Sequence, residues 1–151
     1  SRTGQTLRIS EKDVRAMGRD AAGVLGMKFR EDDELVSCCV ADDEAMILHL
    51  TTEGFGKRTV LSEFATKGRA GLGVRGIRTT DGRGRVAGAL VVSDDDDLFA
   101  VTTAGMIIRM PASDISIQGR DATGVRVMSP GENQHVVAVS PAPSEDFNDE
   151  V

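Results

Sequence analysis

Lys67-Gly68-Arg69-Ala70-Gly71-Leu72-Gly73-Val74 decides how the rest of the chain is read, because its pattern occurs three times. Met17-Gly18-Arg19-Asp20-Ala21-Ala22-Gly23-Val24 stands 50 residues before it, and Gln118-Gly119-Arg120-Asp121-Ala122-Thr123-Gly124-Val125 stands 51 after it. Each copy has Gly-Arg, three variable positions, then Gly-Val. The surroundings repeat too: Gly4, Gly54 and Gly105 align, as do Arg8, Arg58 and Arg109, and the apolar Val14, Phe64 and Ile115. A period near 50 residues marks propellers, solenoids and arrays, whose units bury their apolar faces only against neighbours.

Within each period the signals are those of short strands. Gly4, Gly54 and Gly105 read as turns into Thr6–Ile9, Lys57–Leu61 and Met106–Met110. Leu35–Val40 and Ala45–Thr51 flank the charged Asp42-Asp43-Glu44, and Val86–Val92 and Leu98–Thr103 flank Asp94–Asp97; both pairs predict hairpins. No long segment carries a 3.6-residue period. The expectation is an all-β, propeller-like array with units at 1–52, 53–103 and 104–139. The first unit lacks opening strands, as expected of a piece of a longer array. Residues 140–151 form an acidic segment expected to be disordered.

Composition narrows the function. There is no Tyr and no Trp, the two cysteines Cys38 and Cys39 are adjacent, and no apolar run is long enough to span a membrane. Side chains of adjacent strand residues point to opposite faces, so Cys38 and Cys39 read as reduced packing residues of a cytoplasmic protein. His49 and His135 read as strand residues, with no cysteine–histidine metal spacing. Asp94–Asp97 lacks the graded ligands and turn glycine of a calcium loop and reads as a solvated tip. No nucleotide-phosphate loop occurs, so neither catalysis nor ATP or metal binding is expected here. The net charge is −6, but Glu132, Glu145, Asp146, Asp149 and Glu150 crowd the last 20 residues, where no Lys or Arg occurs. Arginine supplies 14 of the 18 basic side chains, the type suited to forked phosphate contact.

The array resembles the C-terminal domain family of bacterial DNA gyrase A subunits, with the topoisomerase IV domain as close relative. That family folds as a six-bladed β-pinwheel whose neighbouring blades exchange an outer strand. It carries a Gln-Arg-Arg-Gly-Gly-Lys-Gly box with degenerate later copies. Lys67–Gly73, Met17–Gly23 and Gln118–Gly124 are similar to those copies: Arg69, Arg19 and Arg120 match the third position, and Gly73, Gly23 and Gly124 the last. Each copy departs from the box by having Gly second and no Lys sixth, and two carry Asp20 or Asp121 fourth.

The resemblance implies a non-catalytic module that wraps double-stranded DNA for a type II topoisomerase, in an A2B2 complex with the B subunit and the remainder of the A chain. ATP and Mg2+ are then needed only by the whole enzyme, which introduces negative supercoils in the bacterial cytoplasm. Type II enzymes cleave DNA through a tyrosine, which this chain lacks. The residues expected at DNA are Lys67, Arg69, Arg19 and Arg120 in the loops, with Arg8, Lys57, Arg58 and Arg109 as a second register. Arg75 and Arg78 belong to the most basic stretch. The contacts would be to phosphates rather than bases, and the absence of Trp and Tyr argues against single-strand stacking. Tight turns with Arg bound to loop carbonyls are the plain structural alternative for the loops. A protein-interaction propeller without DNA contact is the alternative function, and the acidic segment would compete with DNA for the rim.

Overall fold

Leu48 and Leu50 have no exposed surface, and the alternate residues His49 and Thr51 are buried as well, so the strand carrying them must be covered on both faces. In the computed structural model, which describes residues 1–143, it is a central strand. The strands are β1 (Gln5–Thr6), β2 (Met46–Thr51), β3 (Phe55–Val60), β4 (Val74–Arg75), β5 (Val86–Val92), β6 (Asp97–Thr102), β7 (Ile107–Pro111), β8 (Val125–Arg126) and β9 (Val136–Ala142). They form sheets ordered β1-β4, β5-β2-β3-β8 and β7-β6-β9, with every pairing antiparallel. The all-β expectation holds.

The sheets are joined by strand exchange. β5 lies in the second sequence unit, yet it pairs along β2 of the first, from Met46↔Val92 to Thr51↔Val86. β9 pairs along β6 in the same way, from Asp97↔Ala142 to Thr102↔Val136. Even the irregularities repeat: the register shifts between Leu50 and Thr51 in one case and between Val101 and Thr102 in the other.

Both predicted hairpins are therefore corrected. The Asp94–Asp96 segment is not a hairpin tip but the link by which the chain leaves one sheet and enters the next. Residues 35–40 form no strand; Ser37 Oγ accepts from the Ala89 amide at 3.0 Å, while Val40 is 91% exposed. Two apolar runs around a charged turn are the usual hairpin signal, but β2 has two edges to satisfy. A donated β5 covers the second one while burying Val86 and Val92.

The two larger sheets share one core, built from Met46, Leu48, Leu50, Val92, Leu98, Ala100, Ala112, Ile115, Met128 and Val136. Gly88 sits at a tight approach between β5 and β9, where a Cβ would lie 2.5 Å from Val139 Cγ1. β9 continues through Pro141 to Ala142, past the expected unit end at 139. Pro141 is tolerated because β9 is an edge strand. The rest of the acidic segment, from residue 144, lies outside the described residues.

Candidate nucleic-acid interface

The second and third Gly-Arg loops are each seated on the unit before by the same contacts. The amide of Lys67 donates to the Arg8 carbonyl at 2.9 Å, and the amide of Gln118 donates to the Arg58 carbonyl at 2.8 Å. The loop's last glycine is the tight point. Gly73 and Gly124 have φ of 76° and 79°, and a Cβ on either would stand 2.7 Å from the carbonyl oxygen of Thr6 or Gly56. Glycine there supplies a left-handed backbone and admits the neighbouring strand.

The second arginine register turns out to build these seats. Arg58 is 4% exposed; its Nε donates to the Ile115 carbonyl at 2.7 Å, Nη2 reaches the Ser113 carbonyl at 3.4 Å, and Nη1 pairs with Asp94. Arg8 does the equivalent one unit earlier, donating to the carbonyls of Leu61 at 3.2 Å and Phe64 at 3.3 Å and pairing with Asp43. Asp43 and Asp94, read as solvated tips, are thus the counter-charges of buried or half-buried arginines. Arg109 pairs with Asp97 at 2.8 Å.

Lys57 has no exposed surface at all. Its Nζ donates to the carbonyls of Gly119 and Arg120, and to Thr59 Oγ1 at 3.1 Å, beneath the third loop. Burial lowers its pKa from 10.5 to about 8. Lys57 and Arg58 are therefore corrected from surface contacts to interior supports. β3 is covered by β2 on one side and by the third loop on the other, and their polar ends are satisfied by that loop and the segment leading into it, as burial requires. Strand alternation alone would have placed one of the two outside.

The loop residues proper are at the surface. The side chains of Arg19 and Lys67 are exposed and make no ion pair or hydrogen bond among the described residues. Arg69 Nη1 donates to the Leu25 carbonyl at 3.2 Å, and Arg120 Nη1 donates to the Arg75 carbonyl at 3.0 Å. These are equivalent contacts, each reaching back to the segment that follows the preceding loop. One of five guanidinium donors is used in each, leaving the rest of the fork for another acceptor. The structural and the phosphate-binding readings of these arginines are thus compatible. Arg75 and Arg78 both pair with the carboxylate of Asp121.

One cluster escaped the sequence reading. Arg83 and Arg126 both lie over the Phe55 ring, at 4.4 and 4.3 Å from its centroid. Arg83 Nη1 also donates to the Gly124 carbonyl at 2.8 Å. Phe55, directly after the repeated Gly54, was the available signal. No group of three or more His, Cys, Asp or Glu is placed to hold a metal ion among the described residues, and no helix there is long and apolar enough to cross a membrane.

A family described as DNA gyrase C-terminal domain, beta-propeller, matches residues 1–38, 45–93 and 96–143. The chain belongs to that family. It is 42% identical to the DNA gyrase A subunit of Klebsiella oxytoca over 139 residues, covering 92% of this chain and 16% of the relative. With the Mycolicibacterium smegmatis protein of the same name it shares 39% identity over 148 residues, covering 97% and 18%. The chain thus spans about a sixth of the length of the gyrase subunits it matches. A solved DNA gyrase A C-terminal domain superposes with a TM-score of 0.85 at 30% identity, over 93% of this chain and 48% of that one. A topoisomerase IV C-terminal domain gives the same score and identity over 93% and 44%. In this propeller family member the exchanged strands β5 and β9 are the joints between successive units.

Proposed function

We propose that this chain is a non-catalytic module that binds duplex DNA and wraps it for a type II topoisomerase of the gyrase kind. The observation that carries the reading is the threefold Gly-Arg loop. The second and third loops are seated by the same contacts on successive units, and the three together present Arg19, Lys67, Arg69 and Arg120 at the surface. Guanidinium and ammonium groups at a regular spacing position a duplex through its phosphates and are indifferent to base sequence. Bending a 20–30 bp site costs on the order of 1–6 kcal/mol, which several such contacts offset.

The B subunit and the remainder of the A chain supply cleavage, ATP hydrolysis and the Mg2+ these need, in an A2B2 assembly in the bacterial cytoplasm. The wrapped segment is handed to the cleavage gate with the handedness that yields negative supercoils. Because the units interlock by strand exchange, the blades at 1–52, 53–103 and 104–139 serve as a stiff former for the bend.

A second reading, a protein-docking propeller, draws on the net charge of −6 and on the internal neutralisation of Arg75 and Arg78. Affinity for a duplex of about 40 bp at two salt concentrations separates the two. Phosphate binding weakens by about 0.9 log units per log unit of salt for each contact, and Lys67→Glu with Arg69→Glu lowers both affinity and that slope. Binding indifferent to salt and to these substitutions overturns the DNA reading.

A further inference from the structure

At the joint between the second and third loops, two arginines meet one carboxylate and a third lies beside them. Asp121 Oδ1 accepts from Arg75 Nη1 and Oδ2 accepts from Arg78 Nη2, so each oxygen is held by a different guanidinium. Arg120, the neighbour of Asp121, brings a third guanidinium against the Arg75 backbone at 3.0 Å. The Arg78 amide donates to the Ala122 carbonyl at 3.1 Å, which fixes the loop against the segment that bears the arginines. All of this lies at the surface: the side chains of Arg75 and Arg78 are each 50% exposed and that of Asp121 is 61% exposed. The hydrogen bonds from Arg75 and Arg78 hold the carboxyl below its ordinary range, so it remains a full negative charge.

Two oxygens of one anion shared between two guanidiniums is the arrangement that a backbone phosphate offers through its two non-bridging oxygens. The arrangement belongs to the third loop alone. Asp20 holds the aligned place in the first loop, but it is exposed and makes no ion pair among the described residues, and the second loop has Ala70 there.

We propose that Arg75, Arg78 and Arg120 form a phosphate subsite for the DNA backbone, occupied in free protein by the carboxylate of Asp121. DNA then engages this joint by exchange of an internal anion for an external one. The first two loops bind in the ordinary way, releasing counter-ions from DNA, whereas the third must first displace its own aspartate. The gain at this joint is smaller, and engagement there comes last along the array. This inference rests on the DNA-binding reading and adds to it a masked site and an order of contact.

The test compares Asp121→Asn with Asp20→Asn. Both remove one negative charge at the same loop position, so any general effect of net charge is common to both. Affinity for a duplex of about 40 bp, measured over a salt series, is expected to rise several-fold more for Asp121→Asn. Its salt slope should steepen by about 0.9 for each additional phosphate engaged. The increase should vanish when Arg75→Gln and Arg78→Gln are added, with the thermal midpoint confirming that all variants fold. Equal behaviour of Asp121→Asn and Asp20→Asn overturns the masked subsite; if Lys67→Glu and Arg69→Glu still weaken binding, the DNA reading survives that result. Absence of salt-sensitive binding by every variant overturns both.

Discussion

The ammonium of Lys57 donates to the backbone carbonyl of Arg120 at 3.0 Å, so a buried cation of one unit holds up a partly exposed cation of the next. The aligned residues, Leu7 in the first unit and Ile108 in the third, carry no charge.

Lys57→Met keeps the apolar stem but strands the carbonyls of Gly119 and Arg120. A loss of about 1–3 kcal/mol is expected, the usual cost of unsatisfied buried groups, read from the urea midpoint. A pH signature accompanies it. The pKa of Lys57 is depressed to about 8 in the fold, first by desolvation, against 10.5 when unfolded. Between those values the unfolded chain binds the extra proton, so stability rises with pH across that window. Wild type should gain on Lys57→Met from pH 8 to above 10; parallel profiles would contradict the buried position.

Arg58 and Asp94 form an unequal pair, the first buried and the second 66% exposed. Arg58→Met removes donors from the Ile115 and Ser113 carbonyls and should cost about 1–3 kcal/mol. Asp94→Asn leaves those bonds intact and should cost less than about 1 kcal/mol, as exposed pairs do. Chemical denaturation of the two variants checks the ranking, and equal losses would place the stabilisation in the ion pair instead.

Gly124→Ala meets both a φ of 79° and a carbonyl oxygen at 2.7 Å, whereas Gly119→Ala, in the same loop, meets nothing closer than 3.7 Å. The first is expected to lower stability by at least about 1 kcal/mol and the second by only a few tenths. Thermal midpoints of both variants test whether the seat or the loop itself is the rigid part.

His49 is buried, with Nε2 at 3.0 Å from Thr6 Oγ1 and Nδ1 unpartnered. Desolvation, and then the charge of Lys57, lower its pKa from 6.5 to about 3. Below pH 6.5 the unfolded chain takes a proton that the folded one refuses, so stability falls as pH drops from 6.5 towards 3. His49→Gln should flatten that limb in acid denaturation followed by circular dichroism; an unchanged slope would assign the acid sensitivity to carboxylates.

The repeat made the class of fold legible from glycines and arginines alone. Gly4, Gly54 and Gly105, like Gly23, Gly73 and Gly124, recur at positions where φ lies between 76° and 86°, and at Gly4, Gly54, Gly73 and Gly124 the neighbouring backbone also comes too close for a Cβ. Arg19, Lys67, Arg69 and Arg120 are at the surface as the loop pattern implied. Strand exchange was implied by the family resemblance but not by the local residue pattern: β5 and β6 flank a turn that signals a hairpin, and only the second open edge of β2 decides where β5 goes. The depth of Lys57 and Arg58 was hidden for a related reason. A charged residue in a strand normally faces water, and here it faces carbonyls contributed by a segment some 60 residues away.

Strand exchange also changes what a modular edit of this chain means. Each joint is made of an acceptor edge in one repeat and a donor strand in the next, so cutting between repeats leaves the upstream sheet with a naked edge. Removing one whole period reunites an equivalent donor with an equivalent acceptor. Strand exchange therefore predicts that cuts within a period are costly and that deletion of a whole period is tolerated, like a zip that can be shortened only by whole teeth.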